Sequence, residues 1–157
     1  MKVKVKKLVA EAVIPQYAKE GDAGLDLVAV SKKVDSHGDV VYGTGLAFEI
    51  PQGHVGLIFP RSSNAKKHMW LTNHVGVIDS GYRGEVMLKY RFDGTIKSLE
   101  AINGEDSLTM FRECSEYQIG ERVGQLIIIP YPHIEFEEAD ELSSTERGDG
   151  GFGSSGK

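Results

Sequence analysis

A single cysteine, Cys114, stands in 157 residues, so no disulfide forms within the chain and the sequence suits a reducing compartment. A catalytic thiol is not suggested. Long apolar runs are also missing: Met1 to Ala10 alternates lysine with valine, and the longest later aliphatic run is Leu126 to Ile129. Secretion and a membrane association are therefore not expected, and a cytoplasmic location is. Positive charge is short as well. Lysine and arginine total 18 against 23 acidic residues, a net charge of −5, so the broad basic footprint that duplex nucleic acid requires is absent. Nucleic acid is thus not an expected partner, although a local group of arginines still suits a small polyanion. The histidines, His37, His54, His68, His74 and His133, are scattered without metal-binding spacing. No internal repeat is found.

Glycine, by contrast, is plentiful, with 19 residues spread along the chain, which points to many tight turns. Period-two alternation recurs at Val3 and Val5, at Leu25 and Leu27, through Leu46, Phe48 and Ile50, through Val55, Leu57 and Phe59, and through Val86, Leu88 and Tyr90. These read as short, half-buried strands. Val123 to Ile129 is rich in β-branched residues and reads as a strand buried on both faces. With Gly, Pro, Asn and Asp between the strands, the expected fold is all-β, a jelly-roll-like sandwich or barrel that closes its edges. One short helix is expected after Arg61, where Ser62 or Ser63 would cap a turn through Lys67. The segment from Phe92 to Gln118 reads as an extended hairpin or loop. The length suits one domain, over residues 1–142, followed by a flexible glycine-rich arm over 143–157.

Several segments carry groups suited to chemistry, and each has a plainer reading. In Ala23-Gly24-Leu25-Asp26-Leu27 a carboxylate interrupts an apolar strand start. It reads as a turn aspartate, or as one of the few carboxylates that magnesium takes beside waters and phosphates. Pro60-Arg61-Ser62-Ser63-Asn64 gathers a guanidinium fork, two hydroxyls and a helix start, all suited to phosphate oxygens; an exposed arginine before an ordinary cap fits equally. In the hairpin-like stretch Asn73 to Glu85, Asp79 is placed to orient a water, and a simple turn at Ser80 and Gly81 with Tyr82 as packing is the alternative. Gly151 to Lys157 fits the spacing of a P-loop, but that motif needs a following Ser or Thr and a helix, and the sequence stops at the lysine. The same glycine-rich end still offers amides, hydroxyls, an arginine and the Phe152 ring to a nucleotide; a disordered terminus competes.

Read in order, AGLDL, PRSS, NHVGVIDSGYRGE, GERVGQL and RGDGGFGSSG closely resemble the five sequence motifs of the trimeric dUTPase family. The resemblance runs from Ala23 to Gly156. It implies a jelly-roll subunit that assembles as a homotrimer, with active sites shared among chains and covered by the C-terminal arm. It implies hydrolysis of dUTP to dUMP and pyrophosphate with Mg2+, which lowers dUTP and supplies dUMP for dTMP synthesis. By position, Asp26 resembles the carboxylate that supports the metal through its water shell, and Arg61, Ser62, Ser63 and Gln125 resemble phosphate-binding residues. Asn73 and the backbone of Gly76, Val77 and Ile78 resemble the uracil-binding hairpin, with Met87 on its return strand and Tyr82 under the sugar. Asp79 resembles the residue that orients the attacking water. Arg147, Phe152, Gly153, Ser154 and Ser155 resemble arm residues that bind the γ-phosphate and stack on the base. Serine stands at 155 where the family commonly has threonine, and the hydroxyl is kept. A dCTP deaminase would share the fold and would use a glutamate at the base, a role that Glu85 invites, but the GVIDSGYRGE pattern and the RGDGGFGSSG arm resemble dUTPase and not the deaminase. The length of 92–118 also raises a regulatory protein partner.

Overall fold

The structure is a computed structural model that describes residues 1–92 and 115–151. Its strands are short. In chain order they are β1 (Lys4–Lys7), β2 (Leu25–Val28), β3 (Ser31–Val34), β4 (Val40–Gly43), β5 (Leu46–Glu49), β6 (His54–Phe59), β7 (Met69–Leu71), β8 (Gly76–Ile78), β9 (Met87–Phe92) and β10 (Arg122–Pro130), with one 3-10 turn at Ser62–Lys66. All the pairings are antiparallel: β1 with β5, a four-stranded sheet in the order β2-β10-β6-β8, and another in the order β3-β4-β9-β7. The chain passes back and forth between the two larger sheets, the all-β jelly-roll pattern expected. No helix among the described residues is long and apolar enough to cross a membrane.

One core cluster joins the sheets, with Leu27, Ile58, Val123 and Leu126 from one and Val40, Tyr42, Leu71, Leu88 and Tyr90 from the other. The approach is close at Gly124, where a Cβ would lie 2.2 Å from Leu88 Cδ2, so only glycine fits there without repacking. Three buried tyrosines pack together, Tyr42 edge-on to Tyr90 and to Tyr117 with ring centroids 6.0 and 5.8 Å apart, and Tyr90 tilted against Tyr117 at 5.7 Å. Buried hydroxyls need partners. The Tyr90 hydroxyl donates to the Val123 carbonyl at 2.7 Å, the Tyr117 amide donates to the Tyr42 hydroxyl at 3.0 Å, and the Tyr117 hydroxyl donates to Asn64 Oδ1 at 3.3 Å. Burial raises all three phenols, Tyr42 to about 12. Through Asn64, which also donates to the Met69 carbonyl at 2.5 Å, this cluster fixes the turn that follows Arg61.

Several expectations need correction. Neither Ser62 nor Ser63 caps the short helix: Arg61 occupies the cap position and makes no side-chain capping bond. The Asn73–Glu85 stretch is not a paired hairpin, because β8 joins β6 while the return strand β9 belongs to the other sheet. In β10 only Val123 and Gly124 are adjacent and both buried; Ile127 and Ile128 are half-buried and Ile129 is exposed. Of the 92–118 segment, Phe92 ends β9 and Tyr117 is core, while 93–114 lie outside the described residues.

Candidate active site

Two clefts collect many of the residues singled out in the sequence. The first, about 360 Å³, is lined by Asp22, Gly24, Asp26, Arg61, Ser62, Arg122 and Gln125 among others. Asp26 and Gln125 face each other across β2 and β10, which sets their side chains side by side. The Asp26 carboxylate accepts Arg61 Nε at 2.6 Å through one oxygen and an Arg122 guanidinium nitrogen at 2.9 Å through the other. Gln125 Nε2 donates to the Pro60 carbonyl at 3.0 Å, directly before Arg61. A Cβ at Gly24 would lie 2.3 Å from Gln125 Oε1, so that glycine keeps room for the amide. Ser63 Oγ lies 3.4 Å from an Arg61 guanidinium nitrogen. Guanidiniums, a hydroxyl and an amide converge here, a donor set for phosphate oxygens.

Arg122 was not singled out in the sequence. In a regular strand, residues 122 and 125 point to opposite faces. A register shift between Arg122 and Gly124 breaks that alternation and brings both to one cleft.

The second cleft, about 200 Å³, is lined by Val77, Ile78, Asp79, Tyr82, Glu85, Val86 and Met87. Val77 is 63% exposed on the short edge strand β8, so its backbone neighbours lie open to a ligand's polar edge. A turn closes from Tyr82 N to the Asp79 carbonyl at 3.0 Å, and the Tyr82 hydroxyl folds back onto the Glu85 carbonyl at 3.0 Å. Asn73 and His74 form the preceding turn, with His74 at φ 59 and its amide bonded to the Leu71 carbonyl at 2.9 Å. Asn73 Nδ2 lies near Gly76, 3.6 Å from where a Cβ would stand. The Glu85 carboxylate accepts the Gly45 amide at 2.8 Å. That engagement disfavours Glu85 as a free proton carrier of the deaminase kind.

The clefts are well separated within one chain. β6 and β8 pair Gly56 with Ile78 and Ile58 with Gly76, so that register carried on by one residue sets Asp79 level with Val55, near the start of β6, while Arg61 lies beyond its other end. At about 3.3 Å per residue their backbones stand on the order of 20 Å apart. Arg147 is exposed, donating to the Gly150 carbonyl at 3.0 Å, and lines neither cleft. Phe152, Gly153, Ser154 and Ser155 lie outside the described residues.

An antiparallel β-sandwich with an arginine-rich polar cleft and a second cleft beside an open strand edge defines a nucleotide-binding class of protein. A dUTPase family model matches residues 10–95 and 111–156, and the chain belongs to the dUTPase family. It is 42% identical to a deoxyuridine 5'-triphosphate nucleotidohydrolase of Nautilia profundicola, covering 100% of both chains. A Clostridium acetobutylicum protein of the same name is 37% identical, covering 98% of this chain and 96% of that one. Among solved structures, a Staphylococcus bacteriophage 80alpha dUTPase mutant with dUpNHpp is 31% identical, with a TM-score of 0.78 and coverage of 99% of each chain. A mutant dUTPase from phage phi11 of S. aureus, described with a structural Mg(II) ion, is 29% identical with a TM-score of 0.71, covering 92% of this chain and all of that one.

Proposed function

We propose that this chain is a dUTP diphosphatase that works as a homotrimer, its sites assembled from more than one subunit. The family assignment supports the reaction. One geometric observation carries the shared site: Arg61 and Asp79 occupy different clefts at opposite ends of β6. One nucleotide reaches both groups if the phosphate cleft of one subunit meets the Asp79 cleft of another.

In this reading Arg61, Ser62, Ser63 and Gln125 hold the phosphates, with Arg122 beside them. Asn73 and the edge of Gly76, Val77 and Ile78 pair with uracil, Met87 lies in the same cleft at the start of β9, and Tyr82 packs under the deoxyribose. Asp79 accepts a hydrogen bond from a water, orients it in line with the α-phosphorus and takes up its proton as the bond to pyrophosphate breaks. Arg147 with Phe152, Gly153, Ser154 and Ser155, on the arm of 143–157, closes over the γ-phosphate and base. Magnesium fits the donor set. Among the described residues no group of three His, Cys, Asp or Glu stands together to cage a metal, whereas one or two carboxylates, such as Asp26 and Asp22 in the phosphate cleft, suit an ion that keeps its waters and binds substrate oxygens. Asp26 would support it through water, and the ion would neutralise charge developing on the leaving pyrophosphate. The product dUMP would then serve dTMP synthesis.

Pyrophosphate release from dUTP, dTTP, dCTP and UTP, with and without magnesium, tests the reading. Magnesium-dependent release from dUTP alone is expected, and Asp79→Asn should bind dUTP yet turn over at least about a hundredfold more slowly. Ammonia from dCTP, or no release from dUTP, would sink it.

A second, regulatory role through 92–118 is favoured by one observation: the family match breaks between residues 95 and 111, so that stretch departs from the common family pattern. Phage 80alpha dUTPase is described as controlling transfer of virulence genes by a G protein-like mechanism. Deleting 93–114 should then abolish capture of a partner while dUTP turnover persists.

A further inference from the structure

The loop from Asp79 to Glu85 is braced from within. Its turn closes from Tyr82 N to the Asp79 carbonyl, the Tyr82 hydroxyl reaches the Glu85 carbonyl, and Arg83 donates to the carbonyls of Ser80 at 2.6 Å and Tyr82 at 2.9 Å. Gly84 lies under the tyrosine, where a Cβ would meet its hydroxyl oxygen at 2.4 Å. A loop so braced shifts as a unit, and its orientation is set where the unit is anchored.

Its N-terminal end continues from β8, which the backbone pairs with β6, and the anchor made by a side chain is at its C-terminal end. Glu85 Oε1 accepts the Gly45 amide at 2.8 Å, across 40 residues of sequence. Gly45 holds φ +65, a left-handed conformation that favours glycine. The carboxylate's seat exists because Gly43 lacks a side chain: a Cβ there would lie 2.6 Å from Glu85 Oε1 and 2.3 Å from Ser31 Oγ. Immediately after, Val86 is fixed by its amide to the Leu46 carbonyl at 2.9 Å and by Thr44 Oγ1 donating to its carbonyl at 2.7 Å. Those two bonds hold the strand. Glu85 is the side chain that ties the loop itself to the neighbouring turn.

We propose that Glu85 is a positioning residue, which sets the orientation of Asp79 and Tyr82 by taking the Gly45 amide through the gap at Gly43. This rests on the roles given above to Asp79 and Tyr82. The bond requires an acceptor and not a charge, so a glutamine oxygen should serve in place of the carboxylate, whereas alanine should not.

The test uses the full-length protein with Glu85→Ala, Glu85→Gln and Gly43→Ala. The readouts are kcat and KM for dUTP per folded chain, together with hydrogen exchange at the Gly45 and Tyr82 amides. Misplacement of reacting groups by about 1 Å costs on the order of a hundredfold in rate, so Glu85→Ala should lose about ten- to a hundredfold in kcat per folded chain. Its Gly45 and Tyr82 amides should exchange faster. Glu85→Gln should recover most of the rate, and Gly43→Ala, which keeps the glutamate but fills its seat, should resemble Glu85→Ala. A purely structural role would lower the folded fraction and leave kcat per folded chain unchanged, which overturns the proposal. So does Glu85→Gln as impaired as Glu85→Ala. Should Glu85→Ala not fold, Glu85→Gln against Gly43→Ala decides the matter. If the functional reading itself fails, wild type releases no pyrophosphate, and amide exchange in Glu85→Gln and Glu85→Ala still decides the anchoring.

Discussion

Gly124 sits where the two sheets come close, with a hypothetical Cβ 2.2 Å from Leu88 Cδ2 and 3.1 Å from the Phe59 carbonyl oxygen. Leu88 is buried and has little room to turn away, and the carbonyl belongs to a paired strand. Gly124→Ala should therefore cost about 1–3 kcal/mol by overpacking. The measurement is the urea midpoint, which should fall with the slope unchanged; a midpoint equal to wild type would mean that Leu88 yields without cost. Individual site residues were legible to differing degrees. Asp26, Arg61 and Gln125 come from separate motifs, and the structure brings them into one cleft. Arg122 escaped notice because the register shift beside Gly124 reverses the face that period two assigns to it.

At the scale of elements, the hairpin of β3 and β4 shows how charge holds a turn. Asp35 Oδ1 accepts the amides of His37 at 2.8 Å and Asp39 at 3.1 Å, and Lys89 Nζ reaches its other oxygen at 2.5 Å. Asp39, nearly fully buried, is gripped by Arg91 at 2.7 and 2.8 Å. The Lys89 bond foremost lowers Asp35 to about 2, and the Arg91 bond foremost lowers Asp39. A folded-state value below the ordinary 3.8 means that the stabilisation is complete above about 3.8 and is lost as pH falls through about 2. The His37 and Asp39 amides should thus lose exchange protection in that window before the amides of β10 do, and Lys89→Met should move the loss of protection to higher pH. Simultaneous loss across the sheet would show that these carboxylates do not control the hairpin. The same elements mark the limit of pattern reading. β3 is Ser-Lys-Lys-Val at a sheet edge with every residue exposed, so it has no apolar face to alternate; edge strands often carry lysine. β7 and β8 are three residues each, too short for a period to register. The longer alternating runs at β6 and β9 were plain because one side of each packs on the core, whereas the β-branched run of β10 read as covered on both faces although its C-terminal half is only partly buried or exposed.

For the whole molecule the decisive fact is a distance, since Arg61 and Asp79 lie at opposite ends of β6, on the order of 20 Å apart along the strand. The exposed apolar side chains of Ile129, Tyr131, Ile134, Phe136 and Leu142 add that a single chain leaves hydrophobic surface uncovered after β10. A shared site makes a prediction that a one-chain site does not. Arg61→Ala damages only the phosphate side and Asp79→Asn only the water side, and each should be inactive alone. When the two are unfolded together and refolded as a 1:1 mixture, a site that takes Arg61 from one subunit and Asp79 from the next is intact in about a quarter of cases under random cyclic assembly. Activity should therefore return to about a quarter of the wild-type value, whereas mixing the two after separate refolding should restore none until subunits exchange. Sedimentation of the mixture as trimers with no recovered turnover would place both groups in the same subunit's site. It would then require a rearrangement that closes the gap along β6 within one chain.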